Sequence, residues 1–417
     1  MILFLNFLAL FKNFKKNSNF ATQKFNNMKS QHFVVIGAGA FGGWTALMLL
    51  RSGFRVTLIE ARTAGNSLSS SGDETRVTRT MYGHDRIYSE MARRAMHLWQ
   101  TYEPDFKTKI FYPISVLGLM GQDDSRWRNS KPVLDALNIS YQEMSSNEAA
   151  KRYPHIHFND IQYAAVENSA GYLLARMGCH VVKERFVAEG GTFITASAQP
   201  ALIQNAEMQY ITLSDGSTYH GDQYIFACGP WLHKLFPEVI GNLVNPTKQD
   251  IFYFSVPKGS DIIEKTPIWM DFSSIWENTM IYGIPASGSD AAGRGFKIAE
   301  DVSGIDFDPD TDDRIVSFIQ LQKMKQFMGH RFPSMKGQPI AETRVCQYEN
   351  TPDAHLIMDV HPEASNVWLI GGGSGHGYKH GAAIGEMMAQ HFKQNIELPD
   401  TFKLNRFKNL KEKVERR

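Results

Sequence analysis

Two segments hold the residues best suited to chemistry: Arg344-Val-Cys346-Gln-Tyr348, and the later glycine-dense run Gly371-Gly-Gly373-Ser374-Gly375-His376-Gly377-Tyr-Lys379. The first sets a lone thiol between a cation and a phenol. The second sets an imidazole and an ammonium in a stretch largely free of side chains. Glycine runs let backbone amides approach a group that a Cβ would hold off, so a planar cofactor could rest against this turn.

The elements that would position such a cofactor begin near the amino terminus. Phe33-Val-Val-Ile36 is a short β-branched run. Gly37-Ala38-Gly39-Ala40-Phe41-Gly42-Gly43 follows it and leads into the apolar stretch Trp44-Thr-Ala-Leu-Met-Leu-Leu-Arg51. The order is strand, tight turn, helix: the first glycine makes the turn, the second admits a pyrophosphate, and the third lets the helix pack on the strand. Arg55-Val-Thr-Leu-Ile59 reads as a second buried strand. It ends in Glu60, with Ala61 and Arg62 beyond, where a ribose-binding acid is expected. The arrangement predicts an adenine-dinucleotide site, and Glu60 disfavours a 2′-phosphate and therefore NADP. FAD and NAD stay open from this element alone. The strand Gln223-Tyr-Ile-Phe-Ala-Cys228-Gly229 resembles the element that flavoproteins place near the dinucleotide, which favours a flavin, with Cys228 expected in the core. Before it, Ile211-Thr-Leu-Ser-Asp215-Gly216-Ser-Thr-Tyr219 reads as a hairpin on an Asp-Gly turn.

A chain of 417 residues with 43% apolar and 21% charged residues suits two globular domains. A formal net charge of +1 gives no electrostatic drive toward nucleic acid. The three cysteines, Cys179, Cys228 and Cys346, are widely spaced and show no metal-ligand pattern, so a reducing, cytoplasmic setting without disulfides or metal is expected. Residues 1–30 join an apolar run to lysines and contain no acid. Charge after the apolar run does not suit a secretory signal, the lack of arginine does not suit a transit peptide, and the run is too short to span a bilayer. Met28 is read as the start of the functional chain, with residues 1–30 as a leader outside the fold.

The expected fold class is α/β. Residues 31–110, 165–245 and 339–395 form a Rossmann-like FAD-binding domain, interleaved with a mostly antiparallel substrate domain of residues 111–164 and 246–338, and residues 396–417 form a tail. Residues 170–188 are read as helix, residues 111–164 as strand-like and irregular, and a helix is expected to start near Ala382.

Several motifs together resemble the monomeric sarcosine oxidase and N-methyltryptophan oxidase group of the D-amino-acid-oxidase-like flavoproteins. They are Gly72-Asp-Glu-Thr75-Arg76-Val-Thr-Arg79-Thr-Met-Tyr82-Gly83, Tyr282-Gly-Ile-Pro285, Gly295-Phe-Lys297, Cys346-Gln-Tyr348-Glu-Asn-Thr-Pro-Asp353 and Ser374-Gly-His-Gly-Tyr-Lys379. The similarity runs from about Gln31 to Gln390. It implies a monomeric FAD amine oxidase that uses O2, with the flavin joined through a thioether at Cys346. Arg344 is the nearby cation able to activate that thiol; the alternative is an inert buried thiol. The resemblance also implies Lys297 as the oxygen-activating ammonium, Arg79 and Lys379 as the substrate-carboxylate pair, and Tyr282 and Tyr348 as walls of the amine pocket. Arg76, a helical turn before Arg79 if the segment is helical, would sit on the flavin side. His376 either tunes the flavin or caps backbone; the structural role is preferred.

The sequence leaves the group's pattern at two places. Asp301 stands where the compared methyl-amine oxidases have histidine, and Ser71 or a neighbour stands where they have another, with one additional residue in Gly72-Asp-Glu-Thr75. A carboxylate near the substrate nitrogen would act as base or bind a polar substituent; its alternative is an exposed loop acid. The expected activity is oxidation of the C–N bond of a secondary, N-methyl or cyclic, amino acid to an imine. The alternatives are a fructosyl-amino-acid or pipecolate oxidase, a dehydrogenase passing electrons to a quinone or carrier, and a flavin-binding scaffold without turnover.

Overall fold

A computed structural model describes residues 31–273, 279–285 and 294–408. The expected leader lies outside the described residues.

The β-branched run forms the strand His32–Ile36, wholly buried at the centre of a six-stranded sheet. It pairs in parallel with Arg55–Glu60 on one side and Gln223–Phe226 on the other. Thr192–Thr195 and Ala364–Gly371 extend the sheet in parallel, and Ile357–His361 closes it antiparallel. The helix Ala40–Arg51 is buried along nearly its whole length and packs against the helix Gly381–Gln394, which starts within a residue of the expected place. Two glycines are obligatory where the first strand passes into the helix Ala40–Arg51. Gly37 has φ +102°, and a Cβ there would meet the Ala227 carbonyl oxygen at 2.4 Å; a Cβ on Gly42 would meet the Gly37 carbonyl oxygen at 1.8 Å.

A second sheet has eight strands. Its pairings are antiparallel except for Ile268–Phe272 on Val116–Met120, which is parallel. Alternation along the strands decides what this sheet presents. Tyr253 lies opposite Lys297, Tyr282 opposite Ala299, Met280 opposite Asp301, and Gln249 and Thr247 opposite Cys346 and Tyr348. Directly opposed residues share a face and every second residue repeats it. Lys297, Asp301, Tyr282, Cys346 and Tyr348 therefore project from one side. The other side buries Phe252, Phe254, Phe296 and Ile298 with Met324, Phe327 and Met328 of the helix Phe318–Arg331.

Several local expectations are corrected. Ile340–Asn350, carrying Cys346, is an edge strand of the eight-stranded sheet, although the division at residue 339 puts it with the nucleotide part. Residues 170–188 split into the strand Gly171–Leu174, paired with Thr75–Thr78, and the helix Ala175–Ala188. The irregular region 111–164 contains the helices Ser125–Ala136 and Ser146–Arg152, the latter held by a Ser145/Glu148 capping box. The supposed tail packs inward through 408: Leu398, Phe402 and Phe407 are buried, and Arg406 pairs with Asp353 at 2.8 Å. The Asp-Gly hairpin forms as read, from Ile211–Leu213 and Thr218–Tyr219. Among the described residues no helix is long and apolar enough to cross a membrane.

Candidate active site

A cavity of about 560 Å³ is lined by Gly37, Gly39, Ser197, Trp231, Cys346, Tyr348 and Gly375 among others. Glu60 ends its strand inside it. The carboxylate accepts from the Ala38 amide at 2.8 Å and the Arg62 amide at 3.1 Å, while burial raises its pKa against those bonds. Ala40, Phe41, Ala61, Arg62, Arg76, Cys228, Gly229, Gly373 and Gly377 also line the cavity. Ala38, Gly42, Gly72, Thr75, Ser374, His376 and Lys379, expected at the cofactor, are not in its wall. Gly42 and Gly72 instead serve close packing, a Cβ on Gly72 meeting the Asn66 carbonyl oxygen at 2.0 Å. Ser374 Oγ accepts from the Thr351 amide at 3.1 Å.

Glu349 was not singled out from sequence. It lies in the wall between Gly229, Gly371 and Gly373, and its Oε2 has no hydrogen-bond partner among the described residues. Burial pushes its carboxyl up to about 7, so near neutral pH it can donate a hydrogen bond to whatever fills the cavity. The glycine cradle, the ribose-type acid, this orphan carboxyl and a thiol in the wall together fit FAD.

The thiol's neighbour is not Arg344. Arg344 is drawn to Glu342 at 2.5 Å and Glu74 at 3.0 Å. Arg76 Nη2 instead donates to Cys346 Sγ at 3.1 Å. Burial disfavours the Arg76 charge, but Cys346 and Asp73 outweigh it and keep the guanidinium cationic. Arg76 sits on the strand Thr75–Thr78, not on a helix. Residues three apart on extended chain face opposite ways, so Arg76 turns to the thiol and Arg79 away from it.

Lys297, fully buried, pairs with Asp73 and donates to the Thr75 carbonyl at 2.9 Å. Tyr253 Oη donates to the same aspartate at 2.7 Å. Burial alone would raise Asp73; Lys297 and Arg76 overrule it and hold the carboxylate well below the usual range. Burial moves Lys297 the other way, below the usual lysine value, with Asp73 resisting.

Arg79 and Lys379 meet on Tyr82. The Arg79 guanidinium lies 4.6 Å from the ring centre and donates to the Met81 carbonyl, while Lys379 Nζ reaches Tyr82 Oη at 3.0 Å and the His376 carbonyl at 3.1 Å. Both cations are buried, and among the described residues neither has a carboxylate partner. Burial and Arg79 push Lys379 well below the usual lysine value. Burial and Lys379 push His376 down to about 3, leaving it neutral with Nε2 at 2.9 Å from the Ala354 carbonyl. Tyr348 Oη donates to Asp301 Oδ1 at 3.2 Å, and burial raises the Tyr282 and Tyr348 hydroxyls above the usual tyrosine value.

The fold and this arrangement define a dinucleotide-binding redox protein whose second sheet lines part of the cofactor cavity. Residues 32–391 match the family described as DAO, FAD dependent oxidoreductase, and the chain belongs to that family. It is 27% identical over 369 residues to monomeric sarcosine oxidase of Bacillus sp. (strain NS-129), covering 87% of this chain and 93% of that one. It is 23% identical over 386 residues to N-methyl-L-tryptophan oxidase of Yersinia pestis (strain Pestoides F), covering 90% and 99%. Among solved structures, L-proline dehydrogenase from P. horikoshii superposes with a TM-score of 0.78 at 20% identity, covering 91% and 98%, a likeness of fold.

Proposed function

We propose that this protein is an FAD-dependent amine oxidase acting on the C–N bond of a secondary, N-methyl or cyclic, amino acid, with the flavin joined covalently through Cys346. The observation that carries the reading is the buried pair Arg79 and Lys379, which among the described residues has no carboxylate within ion-pair distance. Two buried cations without a counter-ion call for an anionic ligand, and a substrate carboxylate supplies one. Held by the glycine turn, Glu60, Glu349 and Cys346, FAD would supply the two-electron chemistry that couples oxidation of the C–N bond to reduction of O2 to hydrogen peroxide.

The chain's residues set up that step. Arg79 and Lys379 anchor the carboxylate and so fix the reacting carbon. Tyr282 and Tyr348 border the amine on the sheet face. Hydride loss needs an unprotonated nitrogen, and Asp301, held by Tyr348, accepts the amine proton. The product C=N bond then hydrolyses in water. Lys297 places positive charge where oxygen becomes anionic. The family resemblance supports a monomer, and the free, separated thiols support a reducing compartment.

The test is anaerobic mixing with N-methyl and cyclic amino acids, followed by air. Loss of the oxidised flavin spectrum and one equivalent of peroxide per amine on reoxidation support the reading. Reduction of a dye or quinone without peroxide would instead make the protein a dehydrogenase.

A further inference from the structure

Beside the anchor pair lies a second cavity, of about 460 Å³, lined by Met81, Met120, Trp127, Phe272, Met280, Thr279, Asp301 and Arg126 among others. Its size falls within the roughly 300–1,000 Å³ of ligand sites. It adjoins the redox site through shared residues. Met81, whose carbonyl takes Arg79, forms part of its wall, and Asp301, which takes the Tyr348 hydroxyl, forms another part.

Among the described residues Arg126 is the one cation in that wall. Among the described residues its guanidinium has no hydrogen-bond or ion-pair partner; it rests 5.8 Å from the Phe272 ring centre. The acids on its own turn, Asp123 and Asp124, also line the cavity but do not pair with Arg126: Asp123 takes the Ser125 amide at 2.9 Å, and Asp124 takes Tyr163 at 2.8 Å and Arg128. Although Arg126 is accessible to solvent, enough protein surrounds it that desolvation, followed by Arg79, lowers its basicity. Glu167, near Arg79, is occupied by the Thr80 amide and hydroxyl.

Charge matching then points to the ligand. One substrate carboxylate satisfies Arg79 and Lys379, and the substrate nitrogen satisfies Asp301. Arg126 is left over, in the wall of a chamber that is apolar at Met81, Met120, Trp127 and Phe272 and polar at Asp123, Asp124 and Asp301. Resting on the oxidase reading above, we propose that the substrate carries a second anionic group, a side-chain or N-linked carboxylate, which Arg126 binds across this chamber. A planar guanidinium suits a carboxylate bidentately. Asp301 therefore stands between two anion sites and accepts the amine proton between them.

The test separates binding from turnover, using the full-length flavin-loaded protein. Perturbation of the flavin spectrum is titrated with two thioether acids that cannot be oxidised as amines: (methylthio)acetate, with one carboxylate, and thiodiglycolate, with two. Thiodiglycolate is expected to bind at least about tenfold more tightly, Arg126→Gln to abolish that advantage, and Arg126→Lys to restore part of it, with (methylthio)acetate affinity unchanged throughout. In turnover, N-methyl-L-aspartate or N-methyl-L-glutamate should outperform N-methyl-L-alanine in kcat/KM, through KM. Equal affinity for the two thioether acids, or equal weakening of both by Arg126→Gln, overturns the second anion site. If the diacid preference holds but no amine bleaches the flavin, the site stands and the oxidase reading falls.

Discussion

The Arg76 guanidinium donates to Cys346 Sγ at 3.1 Å, across 270 residues of sequence. The guanidinium thus fixes the sulfur that would bond to the flavin. Arg76→Ala is expected to lower the fraction of flavin that stays with acid-precipitated protein by at least about tenfold. Cys346→Ser should release all of it while retaining non-covalent FAD. Full retention in Cys346→Ser would place the bond elsewhere.

Lys297 and Asp73 form a buried pair whose members have different second partners, the Thr75 carbonyl for the lysine and Arg76 with Tyr253 for the aspartate. Lys297→Met therefore leaves Asp73 paired. It should slow reoxidation of the reduced flavin by about 10²-fold or more, the scale of losing one preorganised charge, with little change in anaerobic reduction. Asp73→Asn leaves the buried cations short of an anion and should destabilise the fold by about 3–5 kcal/mol, read from urea unfolding.

Arg79→Ala should weaken substrate binding by about 2–3 kcal/mol, the worth of a charged hydrogen-bonded contact. In anaerobic titration this shows as a higher Kd for the amine, while FAD content is unchanged because Arg79 does not line the cofactor cavity. Arg79→Lys should recover only part, since the two-pronged contact is lost.

Glu349 makes the stability of the flavin-free protein depend on pH with a definite sign. Its folded pKa, about 7, lies above the ordinary value of 4.5, so the folded state binds the proton more tightly than the unfolded state does. Its contribution is intact below about pH 4.5, is lost as pH rises through 7, and changes no further above that, by at most about 3 kcal/mol. Urea unfolding should show Glu349→Gln gaining on the wild type between these pH values. A constant difference would contradict the assignment.

The nucleotide half was legible because its signals are local. The strand Phe33-Val-Val-Ile36, the glycine turn and Glu60 follow one another in the chain, and the structure joins them through bonds such as Ala38 to Glu60. Tyr348 and Cys346 could be read as neighbours because a strand repeats every second residue. What was hidden depends on register between distant segments. Lys297 meets Asp73 across 224 residues, and Glu349 lies against Gly229, Gly371 and Gly373, which come from separate segments. The spacing of three would have put Arg76 a helical turn before Arg79 had the segment been helical, but pairing of Thr75–Thr78 with Gly171–Leu174 made it a strand. Arg126 belongs to no motif, and only the fold brings it into the chamber wall beside Asp301.

Anaerobic titration of the purified, flavin-loaded protein with secondary amino acids tests the central claim most directly. The oxidised flavin spectrum should bleach completely with at least one N-methyl or cyclic amino acid, and a matched amine lacking the carboxylate should bleach it far more weakly. Bleaching that ignores the carboxylate, or a flavin that stays oxidised with every amine, would contradict a site built around Arg79 and Lys379.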